Sequence, residues 1–144
     1  DRRHVNTESD SEVLMHVLAH ELAVRGALSP ASALAAVGAV HRRVKGGYAI
    51  VSLVLGLGLV AFRDPNGIRP LVLGRRETPQ GDEYAVASES VALDLLGFKL
   101  VRDVKPGEAI VVTSDGQLHA EVVAEAGRFA PCIFEFVYFA RPDS

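Results

Sequence analysis

The 144-residue chain has a single cysteine, Cys132. That scarcity excludes an intramolecular disulfide framework and a cysteine-rich zinc site. An excess of charge is also missing, since 15 Lys and Arg against 18 Asp and Glu leave a net charge of −3. Neither nucleic acid nor an acidic membrane surface is drawn to such a balance, so no nucleic-acid partner is expected. No basic, apolar leader opens the chain at Asp1, so no signal or transit peptide is visible and a cytoplasmic location is expected. The stretch that invites a membrane test, YAIVSLVLGLGLVAF from Tyr48 to Phe62, has 15 uncharged residues, short of the ~20 a spanning helix needs. Gly56 and Gly58 in its middle suit a turn. The stretch reads as two buried strands, 47–54 and 58–63, and no membrane association is expected.

What is present suits a globular domain: 49% hydrophobic and 23% charged residues, in a length of about one domain. The pattern begins helical, with Val13, Leu14, Val17, Leu18 and Leu22 at helical spacing. Ser9-x-x-Glu12 reads as a capping box and Arg25-Gly26 as the stop. A second helix takes Ser29 as N-cap and Pro30 as first residue, with Ala33, Leu34, Val37, Val40 and Val44 on one face. It ends in the basic turn His41-Arg42-Arg43-Val44-Lys45 before Gly46-Gly47, with its cations at the negative end of the dipole. Strands follow. Asp64-Pro65-Asn66-Gly67 reads as a turn closing a hairpin between 58–63 and 69–74. Further strands are expected at 83–87, 108–113 and 117–123, with a short helix at 88–96 and an apolar tail at 133–140. The order predicts an α+β layered domain.

Several motifs suggest chemistry. His16 and His20 stand four apart on the first helix, but a metalloprotease pair needs Glu after the first His, and Val17 is there. GLGLVA at 56–61 matches a dinucleotide fingerprint in letters, yet a turn follows where a helix must begin. No G-x-S-x-G elbow occurs, and Ser88 and Ser90 fall where helix caps are expected. Arg63, Asp64 and Arg69 flank the turn, either as an anion site or as a set that pairs internally and solvates it. Cys132, with no neighbouring His or Lys in sequence, reads as a buried structural thiol. Asp10 has two readings: a first-turn acid complementing the helix dipole, or a carboxylate aimed at a substrate ammonium.

The segments HVNTESDSEVL, AFRDPNGIRPLVLG, YAVASESVALDLLGF, RDVKPGEAIVV and FEFVYFARPDS together resemble the amidophosphoribosyltransferase family. SDSE followed by RDPNGIRPL resembles class II glutamine amidotransferases in general; ASESVALDLLGF and VYFARPDS narrow the likeness. The resemblance implies an N-terminal-nucleophile hydrolase fold, an αββα sandwich of antiparallel sheets, incomplete at its N-terminus in this chain. It implies that residues 1–140 are part of a glutaminase domain, and 141–144 the start of a connection to a phosphoribosyltransferase domain outside the chain. The implied parent reaction hydrolyses glutamine and transfers the ammonia to phosphoribosylpyrophosphate, giving 5-phosphoribosylamine in purine biosynthesis. Partners implied are glutamine, phosphoribosylpyrophosphate and further copies of the chain in a homo-oligomer.

The family's nucleophile is a mature N-terminal cysteine, accompanied by an Arg that holds the glutamine carboxylate and an Asn-Gly oxyanion hole, all early in the domain. This chain starts at Asp1, and Cys132 matches no nucleophile position. The 144 residues alone are therefore expected to be inactive, with no catalytic residue assigned within them. Asp10 matches the Asp that binds the glutamine α-amino group. Some branches of the family place an iron–sulfur ligand at the position of Cys132, but one thiol cannot hold a cluster. No cofactor or metal is expected in this chain, and magnesium is expected with phosphoribosylpyrophosphate in the other domain. The alternatives are a glutaminase segment of another class II amidotransferase, or a non-catalytic interaction module with open sheet edges.

Overall fold

The computed structural model describes residue 7, residues 9–125, residue 127, residues 130–135 and residue 137. The proposed connection at 141–144 and half of the apolar tail at 133–140 lie outside the described residues. The elements run α1 (Asp10–Ala23), α2 (Pro30–Arg43), β1 (Ala49–Val54), β2 (Gly58–Arg63), β3 (Val72–Thr78), β4 (Gly81–Ala87), α3 (Ser90–Leu95), β5 (Lys99–Asp103), β6 (Glu108–Thr113) and β7 (Leu118–Val122). A four-stranded antiparallel sheet has the order β1-β2-β6-β7, and a three-stranded antiparallel sheet the order β4-β3-β5.

Strand alternation sets the layers. On β2 and β6, Val60, Phe62, Ala109 and Val111 join Leu14, Leu18, Leu34 and Val37 in a core between the first sheet and the helices α1 and α2. Their neighbours Ala61 and Ile110 point the other way and meet Leu71, Leu73 and Val104 in a core between the two sheets. Leu73 faces that inner core, so Gly74 faces outward, where Leu93 of α3 packs on it. The result is an α–β–β–α sandwich. Each large apolar side chain so buried contributes roughly 1.5–3 kcal/mol.

Helix α2 follows the expected cap, with an addition. Ser29 Oγ accepts from Ser32 N–H at 3.1 Å, and Ser32 Oγ accepts from Ser29 N–H at 2.9 Å, a reciprocal box that replaces the usual Glu with a second Ser. The box expected on α1 does not form as written. Ser9 is the N-cap but its side chain makes no capping bond. Glu12 Oε2 instead accepts from the N–H and hydroxyl of Thr7, at 2.7 and 2.6 Å. Glu21, buried on α1, accepts from Arg25 and from Arg43 of α2, both at 2.7 Å, and so ties the helix pair together.

Four other expectations change. The N-cap of α3 is Glu89, whose side chain does not cap the helix, rather than Ser88, and Ser90 is the first helical residue. Strand β5 adds a fifth element to the later half, and β3 begins at Val72 instead of residue 69. Most important, the turn at 64–67 does not close a hairpin: β2 pairs with β1 and β6, whereas β3 pairs with β4 and β5. The turn carries the chain from one sheet to the other. On the open edge strand β1, Val51 and Leu53 are exposed. No helix of the described residues is long and apolar enough to cross a membrane.

Candidate functional site

A cavity of about 320 Å³ opens beside the N-terminus of α1. Helix α1 contributes Asp10, Ser11, Val13 and Leu14; the segment after α2 contributes Val44, Lys45, Gly47 and Tyr48; β1 contributes Ile50. The volume is at the lower end for small-ligand sites, and walls of mainly apolar side chains with few polar groups are characteristic of them.

Asp10 is the first residue of α1 and is exposed. Ser11 Oγ donates to its Oδ1 at 3.4 Å, and no cation pairs with it among the described residues. The helix N-terminus favours a negative charge at this position on the cavity wall. Lys45 stands on the same cavity, also without an ion pair among the described residues. Sequence spacing accounted for Lys45 as a cation at the end of α2 but gave no sign of its place beside Asp10.

Tyr48 is buried and lies against the cavity, while its hydroxyl is drawn back to His41 Nδ1 at 2.7 Å. The two rings stack with centroids 5.8 Å apart, and both meet Phe62 edge-on. Burial pulls the His41 imidazole down to about 4, against the opposing pull of the Asp64 charge. Burial, and then the Asp64 charge, push the Tyr48 hydroxyl up to about 12. Both groups are neutral at physiological pH. His41 Nε2 is buried without a hydrogen-bond partner among the described residues.

The charges around the turn at 64–67 do something else. Asp64 is fully buried, and its carboxylate accepts from the backbone N–H groups of Asn66, Ile68 and Arg69 at 2.9, 3.1 and 3.1 Å. Its carbonyl accepts from Gly67 and Gly107, at 3.0 and 3.1 Å. Arg63, also buried, donates to the carbonyls of Arg69, Val104 and Gly67 at 2.6, 2.8 and 2.9 Å. Neither an anion site nor a solvated pair describes this arrangement. Arg63 and Asp64 spend their charges on backbone groups that no ladder reaches, and Arg69 turns away to pair with Glu135.

The remaining candidates fall outside the cavity. His16, half-buried, has its Nε2 3.6 Å from Glu12 Oε1 on the same helix. Gly58 of the GLGLVA stretch has φ +136°, and a Cβ there would lie 2.1 Å from the Val112 carbonyl oxygen. A close strand crossing, not a pyrophosphate, therefore accounts for that glycine. Cys132 is half-buried rather than buried, and does not line the cavity.

Residues 1–95 match a family described as a glutamine amidotransferase domain. The chain is 60% identical to the amidophosphoribosyltransferase of Pseudomonas aeruginosa over 146 residues, covering 100% of this chain and 29% of that protein. Identity to the Escherichia coli amidophosphoribosyltransferase is 54% over 146 residues, covering 99% of this chain and 29% of the relative. The chain thus spans about 29% of the length of these relatives. Among solved structures, the glutamine phosphoribosylpyrophosphate amidotransferase of Bacillus subtilis, complexed with ADP and GMP, superposes with a TM-score of 0.79. That match has 30% identity and covers 99% of this chain and 29% of the other. The sandwich is therefore of the N-terminal-nucleophile hydrolase type, in agreement with the fold expected from the resemblance.

Proposed function

The chain belongs to the glutamine amidotransferase domain family, and from that premise we propose that it is a glutamine-binding part of an amidophosphoribosyltransferase. In this reading the intact protein hydrolyses glutamine and passes the ammonia to phosphoribosylpyrophosphate, which loses pyrophosphate and becomes 5-phosphoribosylamine. Relatives of that name match nearly the whole chain at 60% and 54% identity. Magnesium belongs with the phosphoribosylpyrophosphate step, in the remaining length of such a protein.

The observation that carries the site assignment is the Asp10 carboxylate on the wall of the cavity, which no cation among the described residues neutralises. It accepts hydrogen bonds from the glutamine α-ammonium. A charge-assisted contact of this kind contributes about 1.5–3 kcal/mol. Asp10→Asn in the intact protein keeps the shape and removes the charge, so the glutamine KM rises about 10- to 100-fold with kcat much less affected. An unchanged KM would remove Asp10 from the site.

The 144 residues by themselves are proposed to be inactive. Amide hydrolysis needs an activated nucleophile facing the bound substrate, and the one thiol, Cys132, does not line the cavity. Ammonia release from glutamine by the purified chain would contradict this.

A further inference from the structure

One hydrogen bond closes the stretch of chain that forms a wall of the cavity. Four of the nine lining residues, Val44, Lys45, Gly47 and Tyr48, lie between the end of α2 and the start of β1. The backbone there is jointed. Gly46 has φ +118°, and a Cβ on Gly47 would lie 2.6 Å from Ile68 Cγ2. Two glycines in succession give the stretch little stiffness of its own. Across this joint, His41 Nδ1 in the last turn of α2 meets the Tyr48 hydroxyl, seven positions on, at 2.7 Å.

Counting donors decides the direction of that bond. If the Tyr48 O–H donates to Nδ1, only the Nε2 N–H lacks a partner among the described residues. The reverse arrangement leaves both the Tyr48 O–H and a bare Nε2 unmet, and each buried unmet group costs free energy. Tyr48 is therefore the donor, and its hydroxyl is the one hydrogen-bond partner of His41 among the described residues. The imidazole is only 8% exposed. A leucine would fill such a place without burying an unpartnered nitrogen, so packing alone does not account for a histidine. His41 does not line the cavity and reaches a ligand only through Tyr48. We propose that His41 is a positioning residue: by accepting the Tyr48 hydroxyl it holds the segment 44–48 in the shape of the cavity wall. The inference rests on the glutamine reading of that cavity and adds no contact to the substrate.

The test uses the intact protein and four variants. Tyr48→Phe removes the hydroxyl and keeps the ring, and His41→Leu removes the acceptor and keeps apolar bulk. Each raises the glutamine KM about three- to tenfold and leaves kcat within about twofold, the loss of one such bond from a wall that holds ground and transition state alike. The double variant is no worse than either single one, because both changes remove the same contact. His41→Asn places an amide oxygen near the Nδ1 position and restores KM to within about twofold of the parent. Amide hydrogen exchange at 45–48 speeds up about tenfold in Tyr48→Phe while exchange in β6 stays as it was. An unchanged KM in Tyr48→Phe, KM effects that add in the double variant, or exchange that rises equally in β6 would overturn the proposal. Asp10→Asn keeps the two readings apart. If it leaves KM unchanged, the glutamine reading of the cavity fails; if it raises KM and Tyr48→Phe does not, only the positioning role of His41 fails.

Discussion

Two carboxylates, Asp10 and Asp64, show how differently one fold can use the same group. Asp64 has no exposure and accepts three backbone N–H bonds, so its capacity is consumed inside the protein. Asp10 is exposed on a cavity wall and receives one 3.4 Å bond from its neighbour Ser11. Both occur in motifs of the resemblance, SDSE and RDPNGIRPL. A shared motif therefore does not distinguish a binding residue from a structural one. What distinguishes them is whether the fold has already satisfied the group.

The contrast is sharpest in stability. Asp64→Ala leaves three part-buried N–H groups without their acceptor and should destabilise the protein by about 3 kcal/mol in urea unfolding. Asp64→Asn should cost less, because one amide oxygen can still accept while the NH2 group opposes an N–H donor. A loss below about 0.5 kcal/mol for Asp64→Ala would erase the distinction. A smaller, pH-dependent effect belongs to His41, which touches both regions through Tyr48 and the Asp64 charge. Its folded value of about 4 lies below the unfolded value of about 6.5. The unfolded chain therefore binds the proton first as pH falls, and stability drops from about pH 6.5 down through pH 4. Thermal unfolding across that range should show the slope, and His41→Asn should flatten it. Asp10→Asn should have the smallest effect on unfolding, within about 1 kcal/mol, because it removes only a charge–dipole contact. A stability loss comparable to that of Asp64→Ala would make Asp10 a structural residue instead.

Local signals carried much of the architecture. Strands β2 and β6 lie where the apolar runs place them, at 58–63 and 108–113, and α2 starts at Pro30 behind its Ser29 cap. Those signals involve neighbours within a few positions. The hairpin expectation failed because a turn fixes where the chain bends, not which strand it meets next. Here the buried Arg63 and Asp64 hold a passage between sheets, using contacts to Val104 and Gly107 that no local pattern encodes. Strand β5 was missed because an edge strand with Lys99, Leu100 and Val101 all exposed shows no alternation. At the candidate site, the resemblance supplied Asp10. Lys45 and Tyr48 join it only through the packing of α1 against α2 and the start of β1.

The bond from Arg63 to Val104 spans 41 positions. All of the smaller sheet and α3 lie within that span, which leaves the larger sheet after β2 and returns as β6, directly beside β2. The three-stranded layer is thus an excursion pinched shut at its neck, and Arg102 secures the return by gripping Glu108 through two bonds, at 2.6 and 2.8 Å. The Asp10 cavity is built from α1, β1 and the segment before β1, all of which precede the neck. Changes in the length of the β3–β4 turn at 79–80 fall at the far end of the excursion. The clamp separates that turn from the cavity, so the outer layer is free to diverge in sequence and length while the cavity wall keeps its shape.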